Sequence, residues 1–273
     1  MYFPCMSGPL REVPMTLIDT VNEPDARHLR KGVAISVSGV TKRFDSGTQA
    51  LADVDLDIAE GDFVAIVGPS GCGKSTLLRM AAGLESPTSG SVALATDSVG
   101  VIFQEPTLLG WRSVQANVEL CAEIAGISKA HRRARAATAI EAVGLVGFEK
   151  QLPRMLSGGM KMRVSLARML TKEPAVMLLD EPFGALDEMT RLDMQSELLR
   201  LYTANRFTAM FITHSMSEAV FLANRVIVMS ARPGRIAADI RIDFPYPRDA
   251  ALRFDPRFTS YVAEVSESLR GVR

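Results

Sequence analysis

The stretch Gly68-Pro69-Ser70-Gly71-Cys72-Gly73-Lys74-Ser75-Thr76 constrains this chain more than any other. It fits the pattern of a glycine, four residues, then Gly-Lys-Ser/Thr. It stands between an apolar run, Phe63–Val67, and a segment with helical spacing from about Lys74 to Ala82. Strand, glycine-rich loop and helix in that order are the setting in which a loop wraps phosphate oxygens. The glycines let backbone N–H groups turn inward, and the helix start adds its positive end. Lys74 brings a full charge to the outer phosphates, and the Ser75 hydroxyl can ligate Mg2+. A chance match of the four fixed positions in such a chain has odds of roughly 1%, and the flanking strand and helix lower them.

Val176-Met177-Leu178-Leu179-Asp180-Glu181 supplies the other half of a nucleoside triphosphate site. An apolar strand delivers Asp180 at its C-terminal end, where ligands gather in sheets of this kind. Asp180 suits Mg2+ binding there, and Glu181 suits polarising a water in line with the γ-phosphate. A strand with a charged end is common by itself. Its pairing with the phosphate loop carries the reading. No Asn-Lys-x-Asp occurs, which disfavours a guanine-specific enzyme.

The rest of the chain alternates strands and helices. Residues 1–32 mix Pro, Gly and charge without period and read as a mobile tail. Val33 to Val40 and Leu51 to Ile58 read as strands, as do Ser91–Leu94 and Ser98–Phe103. From about Ser113 to Val143 the spacing is helical, with Ser128 as the N-cap of a second helix. A further helix runs from Gly158 to Thr171. Strands Val176–Leu179, Thr208–Ile212 and Arg225–Met229 then alternate with helices from about Glu188 to Ala204 and Ser215 to Leu222. Such alternation needs crossover connections and predicts an α/β fold with a mainly parallel sheet. After Phe244 a Pro- and Arg-containing stretch leads into a helix from Ala250 or Thr259 onward.

Lys plus Arg number 31 and Asp plus Glu 31, so the formal net charge is zero. That argues against a protein built for broad nucleic-acid binding. Three cysteines, Cys5, Cys72 and Cys121, are too few and scattered for a disulfide framework or a four-ligand zinc site. A reducing compartment suits them. No apolar run approaches the roughly 18 residues that span a bilayer. Pro4, Pro9, Arg11, Glu12 and Pro14 interrupt any secretion signal. The expectation is a chain that is neither secreted nor membrane-spanning, although it could sit on a membrane protein.

Leu156-Ser157-Gly158-Gly159 resembles the signature of ABC-transporter ATP-binding subunits, and it precedes Asp180 by 180 − 157 = 23 residues. The remaining motifs of that family stand in order. Phe44 sits where an aromatic stacks on adenine, and Gln104 matches the Q-loop. Asp187 in Gly184-Ala185-Leu186-Asp187 matches the D-loop, and His214 the switch histidine. The resemblance covers roughly Val33 to Ala238. It implies a P-loop NTPase with a RecA-like, mainly parallel sheet, an N-terminal antiparallel β subdomain and an inserted helical subdomain over about 108–160. The ATP-binding domain would span 33–240 and a C-terminal extension 241–273. It further implies that Glu181, His214 and Gln104 serve hydrolysis, and that Ser75, Gln104 and Asp180 hold Mg2+. Phe44, Gly68 to Thr76, Ser157, Gly158, Gly159 and Asp187 would hold ATP. Ser157 and its glycines open a helix, so they form a second anion-binding start. Taken alone they are an ordinary N-cap. Two phosphate cradles with one P-loop imply a head-to-tail dimer with a second copy of the chain.

Two positions depart from the family pattern. Met160 replaces the usual signature Gln, and Phe44 the commoner Tyr. Phe103 to Val114, Asp180 to Asp187 and Ser230 to Arg235 resemble the nitrate, sulfonate and taurine importer branch, with Gly110 in place of its Pro. This implies an importer energy subunit on the cytoplasmic face of the membrane. It would touch permease subunits through about Gln104 to Val114, with Trp111 as an anchor. It would act indirectly with a periplasmic or extracellular solute-binding protein. Trp111 could otherwise be a core aromatic. An exporter ATPase is the first rival. A soluble relative acting on DNA or ribosomes is the second, disfavoured because residues 104 to 157 show no sustained heptads. His28 and His131 read as structural, and Arg132, Arg133 and Arg135 as a solvated helix face. Cys72 reads as a small filler, with some reactivity conceivable at a helix start.

Overall fold

The polypeptide, seen in a computed structural model, is described over residues 31–272. Along it run β1 (Val33–Arg43), β2 (Gln49–Ala59), β3 (Phe63–Val67), α1 (Lys74–Ala81), β4 (Ser89–Leu94), β5 (Val99–Ile102), α2 (Val114–Ile124) and α3 (Lys129–Ala142). Then follow α4 (Gly158–Leu170), β6 (Val176–Asp180), α5 (Glu188–Asn205), β7 (Thr208–Ile212), α6 (Met216–Leu222), β8 (Arg225–Met229), β9 (Ile236–Arg241) and α7 (Pro256–Arg270). Of the tail expected over 1–32, all but Lys31 and Gly32 lies outside the described residues, with Cys5 and His28. Among the described residues no helix is long and apolar enough to cross a membrane.

Six strands form one sheet in the order β5-β6-β7-β3-β8-β9, parallel except for β9. Side chains alternate across a strand, so a strand buried on both faces must be apolar throughout. β3 shows this directly. Phe63, Ala65 and Val67 join a core with Met177, Leu179, Ala209 and Phe211. Val64 and Ile66 join the opposite core with Leu178, Met210 and Ile212. Helices α4 to α7 cover the first face. The second face is covered by α1 and by an antiparallel sheet in the order β2-β1-β4, as expected.

Helices α2, α3 and α4 pack together through Val118, Ala136, Ile140 and Val164. Asn117, fully buried on α2, fixes the chain that enters this group. Its carboxamide oxygen accepts from Leu109 N at 2.8 Å, and its amide nitrogen donates to Leu109 O at 3.1 Å and Arg112 O at 2.9 Å. Ser128 stands at the N-cap of α3, as expected, although its hydroxyl caps no N–H and lies 3.3 Å from His131 Nδ1. The arginine face of α3 is corrected. Arg132 Nε reaches Glu119 at 3.2 Å and Arg135 donates to Thr171 O at 3.2 Å, so both tie α3 to its neighbours. Arg133 alone of the three is exposed. Strand β9 is absent from the sequence reading, because Ile-Ala-Ala-Asp-Ile-Arg has a weak pattern and gains its partner only at the edge of β8.

The stretch after Phe244 is held by one side chain. Arg248 is buried, and its guanidinium donates to Val220 O, Phe221 O and Ala223 O at 3.0–3.1 Å and to Phe244 O at 2.9 Å. It satisfies carbonyls at the end of α6, which that helix cannot pair internally. Burial pulls its pKa down, although the Tyr246 ring lies 4.2 Å below it. Replacing Arg248 by Met should cost about 3 kcal/mol or more, since four buried carbonyls lose a charged donor. Urea melts of the purified chain check this. An unchanged midpoint would remove Arg248 as the anchor.

Candidate active site

Strand β3 ends at Val67, and the phosphate loop is wedged into its place by close packing. A Cβ at Gly68 would stand 2.9 Å from Cys72 Sγ and 3.0 Å from Met229 O. Gly73 has φ +101°, and a Cβ there would press on Leu51 Cδ2 at 2.6 Å. Both positions therefore require glycine. Lys74 folds over the loop, its ammonium donating to Gly68 O at 2.9 Å and Pro69 O at 3.0 Å. Ser70 and Gly71 are exposed, Pro69 and Thr76 half-buried. Cys72 is 1% exposed, so it is a filler and its thiol is out of reach of reagents.

A second loop, between β8 and β9, props up the first. Arg232 Nε and Nη2 both donate to Gly71 O, at 3.1 and 3.0 Å. Gly234 N donates to Ala50 O at 2.8 Å, and a Cβ at Gly234 would collide with the carbonyl oxygen of Cys72. Sequence reasoning used Ser230 to Arg235 only as a branch mark and missed this support. A Pro-Gly pair after an apolar strand could have hinted at a close approach.

Asp180 ends β6 beside the loop and accepts from Ser75 Oγ at 3.0 Å. Burial pushes its carboxyl up, and the neighbouring Glu181 adds to this, against the Ser75 hydrogen bond and the Arg79 and Lys74 charges. A buried carboxylate next to a hydroxyl is a hard-oxygen donor set whose charge a divalent cation would compensate. The arrangement fits Mg2+, which takes few protein ligands and keeps phosphate and water. Gln104 follows β5, whose Ile102 pairs with Leu179, so it leaves the sheet beside Asp180 and is exposed.

Glu181 comes next in a left-handed conformation, φ 46°, with its N–H donating to Ile212 O at 3.0 Å. His214 follows β7, the neighbour of β6, and its Nδ1 lies 3.4 Å from Glu181 Oε2. The imidazole is 68% exposed and free to meet a ligand. The structure thus gathers Gly68 to Thr76, Asp180, Glu181 and His214 at the C-terminal edge of β3, β6 and β7.

Five predicted residues, Ser157, Gly158, Gly159, Asp187 and Phe44, sit elsewhere. Ser157 caps α4 by accepting from Met160 N at 3.2 Å. Ser157 and Gly158 are exposed, and Gly159 packs on Leu186, at 3.2 Å from a built Cβ, so the signature lies against the D-loop. Met160 contributes its backbone N–H to this cap while its side chain packs on the core. Asp187 caps α5, accepting from Thr190 N at 3.0 Å, and that bond holds its carboxyl low. Phe44 lies in the β1–β2 turn, 39% exposed, with Lys42 Nζ 5.3 Å above its ring. A cavity of 460 Å³ opens at the opposite, N-terminal edge of the sheet, lined by Ala34, Glu60, Glu173 and Arg206 but by none of these residues.

A family model described as ABC transporter matches residues 51–184. An ATP-binding protein of Brucella abortus is 48% identical over 83% of this chain and 89% of its own length. An aliphatic sulfonates import ATP-binding protein of Mesorhizobium japonicum is 48% identical over 79% of this chain and 82% of its own. Among solved structures, a dimeric post-hydrolysis ATP-binding cassette bound to ADP and Pi superposes with a TM-score of 0.70. It is 30% identical, over 77% of this chain and all of that one.

The prop under the phosphate loop is testable. Gly234→Ala forces a methyl group into the Cys72 carbonyl and should cost about 2 kcal/mol, with weaker nucleotide binding. Thermal melts and titration with a fluorescent ATP analogue give both values. Parental values in both would show that the loop does not depend on Gly234.

Proposed function

The chain belongs to the ABC transporter ATP-binding proteins and is an ATP hydrolase of membrane transport; from that premise we propose that it is the energy subunit of an importer for a small organic anion of the sulfonate, taurine or nitrate kind. The observation that carries this is the 48% identity to a sulfonate import ATP-binding protein over 79% of the chain. The segment Phe103 to Val114, with its exposed Trp111, supports it.

In this reading Lys74 and the N–H groups of Gly68 to Thr76 hold the phosphates, and Phe44 stacks on adenine. Ser75, Asp180 and Gln104 hold Mg2+, which when bound neutralises charge on the outer phosphates. Glu181 takes a hydrogen bond from a water and aims its oxygen at the γ-phosphorus. The bond to the β-phosphate oxygen breaks as the new P–O bond forms, giving ADP and phosphate. His214, beside Glu181 Oε2, keeps that carboxylate oriented and donates toward the γ-phosphate.

A second copy completes the site. Ser157, Gly158 and Gly159 are the remaining phosphate cradle, and in this chain they face the D-loop. The proposed dimer is head to tail, with Asp187 at the seam. Dimer closure then drives a pair of permease subunits at the cytoplasmic face of the membrane, with a solute-binding protein on the other side. The solute contacts none of this chain.

Glu181→Gln should bind ATP and hydrolyse it at least about a hundredfold more slowly. A dimer should accumulate with Mg-ATP on size exclusion. Normal turnover in this variant would end the role given to Glu181.

Trp111 is 78% exposed, which excludes a core role. Trp111→Ala should leave the ATPase of the lone subunit intact. It should weaken assembly with the permease by about 2 kcal/mol and lower uptake in reconstituted vesicles. Full assembly and uptake would place the permease contact elsewhere.

A further inference from the structure

Glu218 on α6 is a buried carboxylate that the chemistry above leaves unused. Its Oε2 accepts from Thr213 Oγ1 at 2.5 Å, and its Oε1 accepts from Gln195 Nε2 at 3.0 Å. Arg191 Nε lies 3.7 Å from Oε1. Thr213 Oγ1 also accepts from Ser215 N at 3.0 Å, and Ser215 Oγ accepts from Glu218 N at 3.3 Å. The residues on both sides of His214 are therefore tied to Glu218. Burial pushes this carboxyl up, while Thr213, Arg191, His214 and Gln195 pull it down.

The bonds continue outward. A carboxylate can only accept and a guanidinium can only donate, so Gln195 between them has one workable orientation. Its NH2 faces Glu218, and its oxygen accepts from Arg253 Nη2 at 2.6 Å. Arg253 belongs to a short 3-10 turn, Ala250–Phe254, of the C-terminal extension. Its guanidinium lies 3.5 Å over the ring of Phe221, which holds it against α6. Arg191 joins the same carboxylate to the D-loop, donating to Leu186 O at 2.6 Å and Phe183 O at 3.3 Å.

We propose that Arg253 is a positioning residue for ATP hydrolysis: through Gln195 and Glu218 it sets the backbone of Thr213-His214-Ser215 and thereby the place of the imidazole beside Glu181. This rests on the reading of His214 as a γ-phosphate contact. The extension is then part of the hydrolytic machinery, and a partner that moved the turn at Arg253 would change turnover without touching nucleotide. Arg253 lies on the far side of Gln195 from the phosphate loop, so ATP binding should not register its loss.

The test uses the full chain with Arg253→Met and, as a second variant that leaves the Phe221 contact in place, Gln195→Met. Each should lower kcat about tenfold, the scale of one lost hydrogen bond to a charged group, with KM for ATP unchanged. The chain has three histidines, His28, His131 and His214, so histidine-selective NMR resolves the imidazoles, with His214 assigned by its absence in His214→Ala. In both variants the His214 resonances should shift while those of His131 stay. Unmoved His214 resonances in a folded variant overturn the relay even where kcat falls, as does a shift of His131 together with a lowered melting temperature. If His214→Ala turns over ATP like the parent, the reading of His214 fails and hydrolysis does not depend on the relay. The NMR shift separates that failure from failure of the relay itself.

Discussion

Burial of β3, β6 and β7 on both faces leaves their ends as the only places for chemistry. Phe63–Val67, Val176–Leu179 and Thr208–Ile212 alternate between two cores, and a charged side chain within them would be stranded without water. The first polar groups can appear only where the strands emerge. Because β3, β7 and β6 are neighbours in the sheet, Gly68, Thr213, Asp180 and Glu181 emerge side by side. The site is thus a consequence of sheet order. The register that pairs Asp180 with Ile212 also brings His214 to Glu181.

The charges at that edge are held in ways that keep them usable. Lys74 is buried but satisfied by loop carbonyls, which phosphate oxygens can replace without leaving the ammonium bare. Asp180 accepts from the Ser75 hydroxyl, and that bond with the Arg79 and Lys74 charges offsets its burial only in part. A divalent ion would make up the difference. Glu181 sits at φ 46°, which a β-carbon disfavours, and two backbone bonds hold it, one to Ile212 O and one from Gly184 N. Strain of this kind persists where the surroundings over-determine it, as they do here.

What could be read from the sequence divides along a physical line. Strands buried on both faces announce themselves, so Phe63–Val67, Thr208–Ile212 and Arg225–Met229 match the observed limits. The phosphate loop, Asp180 and Glu181 are local patterns at strand ends and were equally legible. Asn117, Arg232, Arg248 and Glu218 were not, because each is an ordinary polar residue whose partners lie on other elements. Nothing in Pro-Tyr-Pro-Arg248 says that its guanidinium will close the end of α6. Ser128 stands at the N-cap that its local signal indicates, yet its hydroxyl sits by His131 Nδ1, three residues on, and caps no N–H. Arg132 and Arg135 looked like solvated charge because their acceptors, Glu119 and the Thr171 carbonyl, lie on α2 and just beyond α4.

The segment from Gln104 to Val114 shows how such long-range polar bonds can join two surfaces. It leaves β5 next to Asp180 and is then held at two points. Arg168, on the helix that begins at Ser157, donates to Pro106 O and Thr107 O at 3.1 Å, at a residue with φ 43°. Asn117 gathers Leu109 and Arg112 a few residues later. Trp111 stands exposed between Leu109 and Arg112, the two residues that Asn117 holds. A shift of α4 therefore pulls on the start of the segment, since the half-buried Arg168 guanidinium gives up two carbonyls at a cost. In the proposed dimer α4 is the helix whose start meets the other copy's nucleotide. The same helix would then report closure of the dimer to the surface around Trp111, and the distance between nucleotide and permease would be bridged by one arginine and one asparagine.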